Sequence, residues 1–203
     1  MLKQRLSLLS IVLLSLILCS NKSGKLPSAL GKEIPDFSLV NVDGKNFSLN
    51  NDKSARGYIV VFTCNHCPFA KLYTGRLNEL NKKYAALGVP LLAINPMDTL
   101  VYEEESFDKM KKKARTEKFG FPYLQDKLQT VAKTFNANHT PQAYVLWKEN
   151  GKWIVKYSGA IDDNGQEPQK ANPLVANAVD ELLQSKAVSS PETLSFGCGI
   201  NYR

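Results

Sequence analysis

The sequence has few of the side chains that bind transition metals. Four cysteines and two histidines occur among its 203 residues. Cys64 and Cys67 form one Cys-x-x-Cys motif, but no second such motif and no His-x3-His motif accompanies it. Because a structural zinc ion needs four protein ligands, the sequence excludes a zinc site of this type.

Long apolar runs are also rare. The one long run, residues 6–18, lies close to the N-terminus and follows two basic residues. It is shorter than the roughly 20 residues that a membrane-spanning helix needs. A basic start followed by a short apolar core is typical of a secretory signal peptide, which we predict over residues 1–20.

The end of this signal segment leaves three outcomes open. The residues before Cys19 resemble a bacterial lipoprotein cleavage box, in which Cys19 would be lipidated and would anchor the protein to a membrane. Leu18 departs from that box, which usually has a small residue at this position. Cleavage after Ser20 would instead give a soluble exported protein, and an uncleaved segment would remain as an anchor.

The chain carries an excess of positive charge, +7 at pH 7, but this charge is spread along the sequence. Its densest part, residues 109–115, follows three glutamates at 103–105. Acids before bases is the order that the dipole of a helix favours, so we predict a charged, solvated helix over residues 103–118. No aromatic residues are interleaved with these bases, which argues against a nucleic-acid partner.

The rest of the chain is predicted to form one domain over residues 34–185, between a flexible tether (21–33) and a C-terminal tail (186–203). No internal repeat or low-complexity tract interrupts it. A β-hairpin around the turn Asp43-Gly44 comes first, and apolar strands then alternate with amphipathic helices. This order predicts an α/β fold with a mixed central sheet, helices on both faces and an N-terminal β-hairpin.

The Cys-x-x-Cys motif follows the apolar run Tyr58–Phe62 after a single residue, Thr63. We expect Cys64 at the start of the next helix and Cys67 one turn later, on the same face and close enough to form a disulfide. The helix N-terminus and His66 would lower the pKa of Cys64, which predicts Cys64 as the nucleophile and Cys67 as the resolving thiol. A disulfide around two residues would add little stability, so a redox role is favoured. The alternative for His66 is an exposed spacer without a role.

Several short motifs follow one another in order between residues 34 and 202. They are Cys64–Phe69, Phe121–Leu124 with Asp126, Thr140-Pro141, Tyr157, Gly159, Ile161–Asp163, Gly197-Cys198 and Ile200. Together they resemble thioredoxin-fold proteins, and most of all the peroxiredoxin-like branch of the AhpC/TSA redoxin family. The resemblance implies a three-layer thioredoxin-like sandwich. It also implies that Pro141 is in the cis form facing the cysteines, where Thr140 and Pro141 hold the substrate.

Two positions depart from this family. Peroxiredoxins have a Thr or Ser three residues before the peroxide-attacking cysteine and a Pro four residues earlier. For Cys64 these positions hold Val61 and Gly57, so the hydroxyl that would activate a peroxide is missing and peroxidase activity is disfavoured. Relatives often have a cysteine two residues before the cis-proline, where this chain has His139.

The predicted function is that of an exported thiol–disulfide oxidoreductase of the cell envelope or periplasm, without a cofactor because electrons pass through sulfur. Its partners would be protein thiols or disulfides, or an upstream redox protein. Two alternatives remain: a thiol peroxidase, and a copper carrier that binds Cu(I) through Cys64, Cys67 and His139. Cys198, in the tail, is either a third redox thiol or a thiol packed beneath the tail.

Overall fold

The computed structural model of the protein describes residues 28–203. Its strands are, in chain order, β1 (Glu33–Ile34), β2 (Ser38–Asn41), β3 (Asn46–Ser48), β4 (Gly57–Phe62), β5 (Leu91–Asn95), β6 (Tyr123–Gln125), β7 (His139–Thr140), β8 (Gln142–Glu149), β9 (Lys152–Gly159) and β10 (Cys198–Gly199). Its helices are α1 (Pro68–Leu72), α2 (Thr74–Tyr84), α3 (Phe107–Thr116), α4 (Thr130–Phe135) and α5 (Leu174–Leu183), with 3-10 turns at Ala85–Leu87, Glu103–Glu105 and Pro168–Lys170. Within this part of the chain, no helix combines the length and the apolar character needed to cross a bilayer.

A mixed sheet of eight strands forms the centre, in the order β1-β9-β8-β4-β5-β6-β2-β3. The central strand β4 is parallel to β5 and antiparallel to β8, and all its residues are buried. Because successive side chains of a strand point to opposite faces, β4 contributes to two cores. Val60 and Phe62 pack with α4, whereas Ile59 and Val61 pack with α2, α3 and α5. The predicted α/β sandwich with helices on both faces is confirmed.

The predicted N-terminal hairpin is also present, as β2 and β3. Leu39 pairs with Phe47 across it, and Gly44 in the turn has a φ of 84°, which glycine adopts without strain. The hairpin forms one edge of the main sheet, since β2 also pairs with β6. The turn between β8 and β9 has positive φ at Asn150 and at Gly151, as the commonest two-residue hairpin turn requires.

Two segments predicted to flank the domain are packed on it instead. Within the predicted tether, Ala29 is buried and Glu33 pairs with Ile154 of β9. The tail contributes β10 and buries Ile200. Both segments are held largely by backbone pairing with distant parts of the chain, which leaves no periodic pattern in their own sequences. The predicted signal peptide with Cys19, and residues 21–27, lie outside the described residues.

The charged helix begins later than predicted. α3 starts at Phe107 after Ser106, its N-cap, whereas Glu103–Glu105 form a separate 3-10 turn. The charge pattern predicted that these glutamates lie on a solvated surface. Glu105 instead points inward and is only 1% exposed. A buried carboxylate needs hydrogen-bond donors, and those donors lie at the Cys-x-x-Cys loop.

Candidate active site

Cys64 and Cys67 lie in the loop between β4 and α1 rather than on a helix. α1 begins at Pro68, and Cys67 is its N-cap, with φ −58° and ψ 122°. The expectation that Cys64 starts the helix is wrong, because a residue that precedes a proline is driven out of the helical region. Proline itself suits the first helical position. Cys64 therefore belongs to the loop, and only Cys67 touches the helix end.

Both thiols are reduced and fully buried, each with 0% exposed surface. Thr140 contacts the two sulfurs at once. Its Oγ1 lies 3.1 Å from Cys64 Sγ, and its carbonyl oxygen lies 3.1 Å from Cys67 Sγ. The Thr140–Pro141 peptide bond is cis, as the family resemblance implied. The segment expected to hold the substrate thus lies directly against the two thiols.

Glu105 is a site residue that sequence analysis missed. Its carboxylate accepts hydrogen bonds from the backbone N–H groups of Asn65 (2.9 and 3.0 Å) and His66 (2.8 Å), and from the Asn95 side-chain amide (2.6 Å). His66 Nδ1 lies 2.6 Å from the same carboxylate, and the His66 ring stacks on Tyr102 at 4.1 Å. Glu105 therefore fixes the backbone between the two cysteines. Nothing in a run of three glutamates distinguishes the one that turns inward.

The surroundings of the two thiols have opposite effects on their pKa values. The pKa of Cys64 is raised, first by its hydrogen bond to Cys67, then by burial and by the negative charge of Glu105. The pKa of Cys67 is lowered, because its sulfur accepts hydrogen bonds from Cys64, from Cys198 and from the backbone of Ala70, which outweigh burial. The sequence predicted Cys64 as the more acidic thiol. The opposite shifts arise first from the interaction between the two sulfurs, and burial and the negative charge of Glu105 add to the rise at Cys64.

The C-terminal tail lies beside the two thiols. β10 pairs antiparallel with β7, which places Cys198 opposite Thr140. Burial, together with the nearby Cys67, raises the pKa of Cys198 to about 11. The tertiary structure thus brings Cys198, 131 positions along the chain from Cys67, to the Cys-x-x-Cys site.

His139 is not brought to the thiols. Neighbouring residues of a strand point to opposite sides, and Thr140 points at Cys64. Across residues 28–203, three metal-binding side chains come close together in one place, at Cys64, His66 and Glu105, with ligand atoms within 4.8 Å of one another. His66 and Glu105 already pair with each other there. The geometry therefore does not support a copper site through Cys64, Cys67 and His139.

Comparison with known proteins identifies the family. The sequence matches the model of the AhpC/TSA family over residues 30–163. The chain belongs to the AhpC/TSA family. The matched residues include both cysteines of the Cys-x-x-Cys motif and the Thr140–Pro141 pair.

Individual relatives of this AhpC/TSA protein agree with the fold and the chemistry. Thiol-disulfide oxidoreductase ResA of Bacillus thuringiensis is 25% identical over 130 residues, which cover 64% of this chain and 70% of ResA. A solved uncharacterized conserved protein from Geobacillus kaustophilus is 36% identical, with a TM-score of 0.77 over 89% of this chain and 94% of that one. The thioredoxin domain of a thiol-disulfide oxidoreductase from Bacteroides vulgatus is 18% identical, with a TM-score of 0.51 over 64% and 88% of the two chains, a likeness of fold alone. The fold is thioredoxin-like, and the protein is an oxidoreductase.

Proposed function

We propose that this protein is an exported thiol–disulfide oxidoreductase that uses Cys64 and Cys67 as its redox pair. The observation that carries the proposal is that Thr140, next to the cis-proline, contacts both buried sulfurs: its Oγ1 lies 3.1 Å from Cys64 Sγ and its carbonyl oxygen 3.1 Å from Cys67 Sγ. The surroundings raise the pKa of Cys64 and lower that of Cys67. A thiolate beside a thiol is the arrangement that starts thiol–disulfide exchange, since the thiolate is the nucleophile.

The exchange uses the two thiols in turn. A thiolate of the pair attacks a disulfide of the partner protein, which forms a mixed disulfide and releases one partner thiolate. The second thiol of the pair loses its proton and attacks the mixed disulfide, which releases the other partner thiolate and leaves Cys64 and Cys67 joined. Two electrons pass from the pair to the partner, and the reverse sequence oxidises a partner dithiol. An upstream dithiol protein restores the starting state, and the chemistry needs no cofactor.

The surface around the pair suits a protein partner. Phe69 and Leu72 of α1 are 51% and 45% exposed, and Phe196 of the tail is 70% exposed. These apolar side chains border a groove that reaches Pro141. Large exposed apolar groups next to a reactive centre are typical of protein-binding surfaces, which supports a protein thiol or disulfide as the substrate.

The order of attack can be decided by trapping. The sequence assigns the first attack to Cys64, whereas the lowered pKa of Cys67 favours Cys67 as the thiolate. A variant that keeps the attacking cysteine and lacks the resolving one accumulates the mixed disulfide. In the Cys198→Ser background, which removes the other thiol near Cys67, we expect Cys64→Ser to accumulate it through Cys67, and accumulation through Cys64 in Cys67→Ser would reverse the assignment.

The activity is tested by the reduction of insulin with dithiothreitol as the electron source. We expect the purified protein to accelerate the reaction and expect Cys64→Ser and Cys67→Ser each to abolish the acceleration. Lys71→Ala, on the exposed side of α1, is the matched control and should retain full activity. Unchanged turnover in both cysteine variants, with folding verified by circular dichroism, would refute the mechanism.

Export and anchoring rest on the N-terminal sequence. Labelling with palmitate distinguishes a lipoprotein, which incorporates the label at Cys19, from a soluble exported protein, which does not. Fractionation of cells into periplasm and cytoplasm tests export itself, and recovery from the cytoplasm alone would contradict it.

One observation favours a thiol peroxidase as the second candidate. Peroxiredoxins have a hydroxyl residue three positions before the attacking cysteine, where this chain has the buried Val61 of β4. The hydroxyl of Thr140, however, lies 3.1 Å from Cys64 Sγ. This hydroxyl comes from a different strand. Consumption of hydrogen peroxide that is lost on Thr140→Val, together with failure to reduce insulin, would favour the peroxidase.

A further inference from the structure

The tail occupies a backbone edge that the main sheet leaves open. β7 is outside the eight-stranded sheet and pairs with β10 alone among the described strands, with Cys198 opposite Thr140 and Gly199 opposite His139. The pairing is antiparallel and only two residues long. An extended partner segment would dock on this same edge by strand addition, because Thr140 and Pro141 lie against the two thiols.

Gly197 shows how closely the tail sits on the cis peptide. A Cβ atom at Gly197 would lie 2.2 Å from the carbonyl oxygen of Thr140 and 3.0 Å from the nitrogen of Pro141. No side chain fits there without displacing the tail. Gly199, two residues later, has no atom within 4 Å of a built Cβ. The close approach is therefore confined to the residue that immediately precedes Cys198.

Cys198 is placed to react with Cys67. Cys198 lies opposite Thr140, whose carbonyl oxygen is 3.1 Å from Cys67 Sγ, and it packs against the buried cluster that contains Cys64 and Cys67. Cys67 thus has a thiol neighbour on each of two segments, one from its own loop and one from the tail. Cys198 is partly exposed, whereas Cys64 and Cys67 are fully buried.

We infer that β10 occupies the edge of β7 on which a substrate strand would bind. We also infer that Cys198 is a third redox thiol, which exchanges with Cys67. This inference deepens the proposed function and rests on it. In the oxidised protein, the Cys198 thiolate attacks Cys67 of the Cys64–Cys67 disulfide. The Cys67–Cys198 bond forms, the Cys64–Cys67 bond breaks, and Cys64 leaves as a thiolate that takes up the proton of Cys198. No electrons enter or leave the chain in this step.

The sequence of the tail indicates which features a partner segment needs in order to replace it on β7. A partner strand on β7 needs an extended backbone, a cysteine opposite Thr140 and a glycine immediately before that cysteine. Such a partner must first displace the tail, because the thiols are inaccessible while β10 is seated. The protein substrate and the C-terminal strand are therefore competitors for one edge.

The disulfide is tested in the full chain with Cys64→Ser, oxidised by diamide, which takes two electrons from a pair of thiols. Peptide mapping after alkylation should recover Cys67 and Cys198 joined within one chain. The double variant Cys64→Ser with Cys198→Ser should leave Cys67 alkylated. Recovery of both Cys67 and Cys198 as alkylated residues in the single variant, or a bond between two chains, would overturn the inference.

The position of the tail on β7 is tested independently with variants at two glycines of the tail. Gly197→Ala should unseat the tail and increase the rate at which iodoacetamide labels Cys64 and Cys67 in the reduced protein by at least about tenfold. In Gly199→Ala the added methyl group meets no neighbouring atom, so the two thiols should be labelled at the rate of the unmodified protein. Equal labelling rates in the two variants would show that the tail does not close the site.

These outcomes separate the inference from the function beneath it. Insulin reduction that depends on Cys64 and Cys67, with no Cys67–Cys198 bond in Cys64→Ser, would leave the proposed function standing and remove the third thiol. Absence of any insulin reduction by the unmodified protein and by Gly197→Ala would remove the proposed function, whatever disulfide the tail forms.

Discussion

The Cys-x-x-Cys loop and the C-terminal strand meet at Thr140, but different kinds of contact hold them. The loop is fixed from within by Glu105, whose buried carboxylate receives hydrogen bonds from the loop backbone and from Asn95. The tail is fixed by contacts spread along its length, most of them neutral or partly exposed: Thr193 Oγ1 with Tyr157, the N–H of Ile200 with the carbonyl of Asn138, and an ion pair of the half-exposed Arg203 with Asp98. Charged, buried hydrogen bonds contribute more to stability than neutral, exposed ones.

This difference suits the two roles. The reactive thiols need a fixed geometry, which a buried carboxylate provides. A segment that gives way to a partner must open at a small free-energy cost without unfolding the domain, as low-stability segments of proteins do. We therefore expect that the loop loses its structure only with the whole fold, and that the tail can leave alone.

The largest expected effect follows from removing the carboxylate of the loop. Glu105→Ala leaves the N–H groups of Asn65 and His66 and the amide of Asn95 without their acceptor, which should lower the free energy of unfolding by roughly 3 kcal/mol. Urea denaturation measures this change. Glu104→Ala removes an exposed neighbour and should change stability by less than about 0.5 kcal/mol. Equal effects of the two variants would contradict the role of Glu105.

A smaller effect should follow from loosening the tail. Thr193 Oγ1 lies 2.6 Å from the Tyr157 hydroxyl and accepts a hydrogen bond from the N–H of Ala160 at 3.0 Å. Thr193→Val removes both contacts and should lower the free energy of unfolding by about 1 kcal/mol. Hydrogen exchange should accelerate at Ile200 but not in β4. Uniform acceleration through both regions would show that the tail and the domain open together.

The smallest effect concerns charge at the thiols. Glu105→Gln removes the negative charge that raises the pKa of Cys64, so the pKa of Cys64 should fall. His66→Ala removes the partner that faces this carboxylate, so the pKa of Cys64 should rise. Thiolate absorbance followed against pH measures both shifts in the Cys67→Ser background, where Cys64 titrates without its neighbour. Shifts in the same direction would exclude an electrostatic role for the His66–Glu105 pair.

Much of the domain was predictable because its elements carry their own patterns. The buried run of β4, the glycine turns of the two hairpins and the apolar stripe of α5 are local features. The predicted starts of two helices were wrong, because a single residue changed the local backbone conformation. Pro68 moved the helix start past Cys64, and the inward turn of Glu105 separated the acidic run from α3.

The sequence by itself determined that two thiols follow a buried strand and that the framework is a mixed sheet between helices, because these depend on neighbouring residues and on apolar periodicity. The resemblance to the AhpC/TSA family implied that a proline faces the thiols. Only the tertiary structure decided that Glu105 is buried beneath the loop and that the tail places Cys198 beside the Cys-x-x-Cys site. Those features depend on contacts between segments far apart in the chain, and such contacts leave no periodic trace in either segment.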